Sequence, residues 1–96
     1  MGLREDYDFD NLVNEAESLV ISELESQIAR TPGLCTCQDC VLDMAAYALN
    51  KVKPAYRVSL MGSVYARTAA HTERARDIAE AVTEAIEKVK ANPSHD

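Results

Sequence analysis

Residues 12–28, LVNEAESLVISELESQI, place Leu12, Val13, Ala16, Leu19, Val20, Leu24 and Ile28 at steps of three and four, with Glu15, Glu17, Glu23 and Glu25 between them. That spacing gathers the apolar side chains on one face of an α-helix and sends the carboxylates to the other. Asp8 or Asp10 is the expected N-cap, because a short carboxylate accepts hydrogen bonds from the open amides of a first turn. The helix should stop at Thr31-Pro32-Gly33, where proline cannot continue it and glycine can turn the chain. Working outward, residues 39–52 carry a second such stripe, with Val41, Leu42, Ala45, Tyr47, Ala48, Leu49 and Val52, and Pro54 closes it. A third and longest helix is expected over residues 63–91, with Val64, Ile78, Val82, Ala85, Ile86 and Val89 on its buried face and Asn92-Pro93 at its end. Between the last two helices, residues 54–62 form a connector. Tyr56, Arg57 and Val58 favour extended backbone, so a short strand fits there. The expected fold class is all-α: one small domain over residues 1–96, built from three to four helices. Residues 1–9 read as a frayed or disordered lead-in and residues 92–96 as a tail.

Composition narrows the class further. The chain has no tryptophan and one phenylalanine. Its core must therefore come from Leu, Val, Ile, Met and Ala, a mixture that lets helices approach closely. A 96-residue domain buries a modest core, and pairing with a second copy or holding a metal would add to it. No run approaches the roughly 20 apolar residues of a membrane span, so no membrane association is expected. The acidic first ten residues resemble neither a secretory signal nor a basic transit peptide, which makes the cytoplasm the expected location.

The net charge of −6 argues against general binding to DNA, yet it is unevenly spread. Residues 1–50 hold 2 basic and 10 acidic side chains, whereas residues 51–76 hold Lys51, Lys53, Arg57, Arg67, Arg74 and Arg76 against Glu73 alone. The apolar stripe of the third helix is also interrupted there: stepping back from Ile78 meets Arg74, His71 and Thr68 or Arg67 before Val64. This basic interval is a candidate surface for an anionic ligand or another chain, with a plain solvated face as the alternative.

Cys35, Cys37 and Cys40 form a C-x-C-x-x-C cluster in the loop before the second helix. An odd number of cysteines packed into six positions is not a disulfide framework. Thiolates two and three positions apart can converge on one ion, and zinc takes four such ligands in a tetrahedron. The chain supplies three, so the fourth would be His71, His95, Asp39, Asp43, water or a group from a second subunit. A redox switch among the thiols is an alternative use of the cluster, and simple packing as small apolar side chains is another. No nucleophile-and-base pair or phosphate-cradling glycine loop appears, and the chain is expected to bind rather than catalyse.

Taken in order, Cys35-Thr36-Cys37-Gln38-Asp39-Cys40, Asp43, Ala48-Leu49-Asn50-Lys51-Val52 and Pro54-Ala55-Tyr56 resemble the late competence development protein family, ComFB. The resemblance runs from about residue 11 to residue 89. It implies a small helical homodimer with zinc at Cys35, Cys37 and Cys40. It also implies a regulatory role in competence, motility or cell-size control, exercised through a cyclic dinucleotide second messenger. Where many members have an acidic and aromatic stretch after the proline and tyrosine, this chain has Arg57-Val58-Ser59-Leu60-Met61-Gly62.

A cyclic dinucleotide offers two phosphates and two flat bases, which guanidinium forks and an aromatic face can engage. The candidate contacts are Arg57, Arg67 and Arg74 for phosphates or base edges and Tyr56 for stacking, with Asn50 and Lys51 beside them. In a two-fold dimer each would appear twice, matching a two-fold ligand. Each has a structural alternative: Tyr56 can lock the connector, Asn50 can end its helix in a left-handed conformation, and Lys51 can complement the helix dipole. The expectation is a regulator that binds a cyclic dinucleotide, cyclic di-GMP foremost, and signals to a partner protein. The alternative is an adaptor of the same fold, acting in competence, motility or cell-envelope regulation without a nucleotide.

Overall fold

The computed structural model describes residues 2–58 and 60–93, with side chains described outside residues 60–72. The element order is α1 (Leu3–Asp6), a 3-10 turn (Phe9–Asn11), β1 (Val13–Asn14), α2 (Glu15–Ala29), α3 (Gln38–Lys51), β2 (Tyr56–Arg57) and α4 (Leu60–Ala91). Among the described residues there are four α-helices and one two-residue strand pair, so the expected all-α class holds.

Three helices build the core, each through positions four apart. Ala16, Val20 and Leu24 face inward from α2, Cys40, Met44 and Ala48 from α3, and Ile78, Val82, Ala85, Ile86 and Val89 from α4. Residues at i and i+4 lie one above the other on a helix face, so these rows form ridges that pack against one another. Among the described residues, Met44, Val20, Val82 and Cys40 are the largest side chains wholly removed from solvent. Ala16, Ala48, Ala81 and Ala85 fill the remaining inward positions, and their small side chains let the three backbones come close. α4 packs against both α2 and α3.

The sequence reading fails at the start of α2. Leu12 and Val13 belong to the expected helical stripe, but the helix begins two residues later. Leu12 is exposed and Val13 lies in β1, paired with Arg57 of β2 in antiparallel register, with Asn14 opposite Tyr56. The cap is Asn14, whose Oδ1 accepts the amide of Ala16 at 3.1 Å. Asp8, one of the expected caps, instead accepts from Asp10 and closes the preceding 3-10 turn. The first nine residues also contain a helical turn, α1, where only a frayed lead-in was expected. Leu42, assigned to the apolar face of α3, is 58% exposed.

The other punctuation is as the residues require. Gly33 has φ +84°, a left-handed backbone that a side chain would strain, although the space around it is open. Thr31 Oγ1 donates to the carbonyl of Gln27 at 2.7 Å, holding the last turn of α2. Gln27 also ties α2 to α4: its amide nitrogen donates to the carbonyl of Ala79 at 3.0 Å, and its oxygen accepts from the hydroxyl of Thr83 at 2.9 Å.

Candidate metal centre and ligand surface

The cysteine cluster sits at the junction of the α2–α3 loop and the first turn of α3. Cys37 is the N-cap, with the extended backbone that position requires, and its sulfur accepts the amide of Cys40 at 3.4 Å. Cys40 is wholly buried in the hydrophobic core, Cys35 is half-buried against it, and Cys37 is exposed. The three sulfurs lie within 4.8 Å of one another. Zinc–thiolate bonds of about 2.3 Å in a tetrahedron set sulfurs about 3.8 Å apart, so a contraction of an ångström or less would close the three around an ion. The backbone amide on the Cys37 sulfur is the kind of outer contact that fixes a ligand's direction. The donor set therefore fits a thiophilic metal, with Cys35, Cys37 and Cys40 as its holders.

Three thiols leave a tetrahedral position to fill. Asp39 and Asp43 bring no carboxylate into the converging group among the described residues. The side chain of His71 and the whole of His95 lie outside the described residues. A cleft of about 150 Å³ opens beside Cys35 and Cys40, walled by Gly33, Leu34 and the end of α4 at Val89, Lys90 and Pro93.

The basic interval is laid out differently from its sequence. Arg57 lies in β2, and its guanidinium pairs with the carboxylate of Glu15 at the head of α2. Both partners are largely enclosed, with side-chain exposures of 23% for Arg57 and 10% for Glu15. Two more bonds complete this joint. The Glu15 amide donates to the carbonyl of Ala55 at 2.8 Å, and the Ala55 amide donates to Asn14 Oδ1 at 2.8 Å. Tyr56, next to Arg57, is 65% exposed.

Arg74 is half-buried on α4 and directs Nη1 to the carbonyl of Lys53 at 3.5 Å. Together they line a cleft of about 240 Å³ with Val52, Ile78, Glu73 and Asp77. Lys51 reaches α4 as well, 3.8 Å from Glu84, and its ammonium lies over the ring of Tyr47. Asn50 is exposed within α3, which continues to Lys51, and no residue other than glycine takes a positive φ among the described residues. The left-handed ending considered for Asn50 is therefore not formed. Arg67 lies outside the described side chains. The cationic run of the sequence thus meets acidic groups of α4 in space: Glu73, Asp77, Glu80 and Glu84 stand along the same clefts as Lys51, Lys53 and Arg74. Sequence reasoning missed Glu15 and Asn14 as organisers of this region, because nothing local marks a contact made across some forty residues.

Residues 13–93 match the family profile described as late competence development protein ComFB. The chain belongs to the ComFB family. Among solved structures, the late competence protein ComFB from Bacillus subtilis superposes on this ComFB-family chain with a TM-score of 0.72 at 27% identity, covering 86% of this chain and 92% of that one. No curated relative matches it. The match begins at β1 and takes in the strand pair, all three core helices and the cysteine cluster. Among the described residues, no helix is long and apolar enough to cross a membrane.

Proposed function

We propose that this ComFB-family protein is a non-catalytic regulator that binds a cyclic dinucleotide, cyclic di-GMP foremost, and relays its presence to a partner protein in the cytoplasm. The observation that carries this reading is the exposed ring of Tyr56 on the same connector as Lys53, with Arg74 bonded to that connector from α4. An aromatic face beside a lysine and an arginine suits a base and its phosphate. Arg57 joins the site by exchanging its Glu15 partner for phosphate, and Arg67, Asn50 and Lys51 flank it. Zinc at Cys35, Cys37 and Cys40 is structural in this reading, with the fourth ligand drawn from His71, another side chain, water or a second subunit.

The protein works as a homodimer in the same proposal. Its Cα radius of gyration is 15.4 Å, against about 12.5 Å for a compact chain of this length, and the domain is only 18 Å thick. Leu3, Tyr7, Leu12 and Val58 are exposed apolar side chains, and a second copy would cover such a surface.

The adaptor reading has its own support in the acidic groups interleaved with Lys51, Lys53 and Arg74, since a mixed-charge surface suits a protein partner better than a dianion. Isothermal titration with cyclic di-GMP, cyclic di-AMP and the linear dinucleotide decides between them. Micromolar or tighter binding that Arg74→Ala removes, in a variant with an unchanged circular dichroism spectrum, supports the receptor. Absence of both heat and thermal shift with every nucleotide refutes it and leaves the adaptor.

A further inference from the structure

The three thiols differ in accessibility in a way that metal binding alone does not require. Cys37, at the N-cap of α3, is an exposed residue whose thiol is partly shielded, while Cys40, three residues on, is wholly enclosed in the core and donates its amide to the Cys37 sulfur. Positions three apart across a first helical turn have Cα atoms about 5 Å apart, inside the window for an unstrained disulfide. Cys35 and Cys37, separated by one residue, must bend the backbone more sharply to join.

We infer that the cluster is also a site of reversible oxidation, in which an accessible Cys37 is oxidised first and Cys40 resolves it as a Cys37–Cys40 disulfide. The oxidant is a small peroxide, for which hydrogen peroxide serves as the probe. The Cys37 sulfur attacks one peroxide oxygen, the O–O bond breaks, and a sulfenic acid and one water result. The Cys40 sulfur then attacks the Cys37 sulfur and displaces the hydroxyl, which leaves as a second water with the remaining thiol proton. Two thiols lose two electrons in total and the peroxide gains them. Access selects the first step, since solvent reaches Cys37 and not Cys40. Sulfur proximity permits the second, since all three sulfurs lie within 4.8 Å, and the three-residue spacing across the first helical turn favours Cys40 over Cys35. A metal held by the three thiolates competes with the reaction, and completion of the disulfide removes two of its ligands. The cluster then couples oxidant to metal release. This inference is independent of the nucleotide reading.

The test treats the full chain with hydrogen peroxide, zinc-loaded and after chelator stripping, followed by alkylation and peptide mapping by mass spectrometry. The expected product is an intramolecular Cys37–Cys40 link with Cys35 alkylated, formed faster in the stripped protein and reversed by dithiothreitol. In the zinc-loaded arm, a zinc-sensitive dye should report release in step with disulfide formation. Cys35→Ser should still form the link, and the exposed Cys37→Ser should form no disulfide within the chain while keeping its helical circular dichroism. A dominant Cys35–Cys37 or Cys35–Cys40 link would overturn the inference. So would accumulation of sulfinic acid at Cys37 without any disulfide, or persistence of intramolecular linkage in Cys37→Ser.

Discussion

Replacing Arg57 by alanine tests the joint that binds the connector to the head of α2. Removing one member of a fully buried ion pair costs about 3–5 kcal/mol, most of it from the charge left behind. Two features of this pair lower the figure. The Arg57 side chain is 23% exposed and Glu15 10%, so water partly replaces the lost partner. Glu15 also stays in the first turn of α2, where the helix dipole favours a carboxylate by about 0.3–1 kcal/mol. Arg57→Ala should therefore cost about 2–3 kcal/mol, lowering the melting temperature by roughly 10–20 °C in a domain of this size. Glu15→Gln keeps an oxygen for the guanidinium and should cost less, about 1–2 kcal/mol. Urea denaturation followed by far-UV circular dichroism, on zinc-loaded protein at one fixed concentration, measures both singles and the double variant. A coupling of at least about 1 kcal/mol is expected. Additive singles, or single effects below about 0.5 kcal/mol, would place the pair with exposed surface bridges and refute the view that it anchors the connector.

Three further outcomes follow from the packing. Asn14→Ala should destabilise by about 1–2 kcal/mol, losing a helix cap and the bond to Ala55 together, whereas Asn14→Asp keeps an acceptor oxygen and should lose far less in the same urea titration. Met44→Ala empties a wholly buried position of the hydrophobic core and should cost about 2–5 kcal/mol, measured as a fall in the urea midpoint with an unchanged slope. Stripping metal with a chelator should lower the melting temperature reversibly, with zinc restoring it, because ligand binding to the folded state adds to its stability. An identical melting curve with and without metal would show that the thiols do not hold a stabilising ion.

The helices were legible because their apolar residues recur at a period that water enforces. Val20, Leu24, Ala48 and Val82 are buried for the reason their spacing gives, whereas Met44, wholly buried, was not on the stripe read from the sequence. The cysteine cluster was legible too, since residues 35, 37 and 40 are local and their convergence needs only a loop and one helical turn. The strand pair was half visible: the β-favouring residues at 56–58 suggested it, but the partner strand lay hidden inside an apparent helical stripe. Leu12 and Val13 satisfy the helical period by accident, and Asn14 sets the boundary by capping Ala16, a local signal, while its bond to the Ala55 amide is one that no local pattern encodes. Charge misled for a related reason. Counting along the chain finds cations at 51–76, whereas the fold sets Glu15 against Arg57 and Glu84 near Lys51.

The strand joint has a lifetime of its own. Among the described residues it rests on a two-residue ladder, the Arg57–Glu15 ion pair, the Glu15 amide on the Ala55 carbonyl and the amide oxygen of Asn14, while the helical layer rests on a dozen enclosed side chains. Elements held by few enclosed apolar contacts open at lower free energy than the core. The connector can therefore part from the head of α2 many times for each global unfolding event, and the amide of Ala55 records those partings in its rate of hydrogen exchange. A molecule that seats against Tyr56 while the joint is closed would slow that exchange without touching the core, so a binding event there would read out as a change in how often one seam opens.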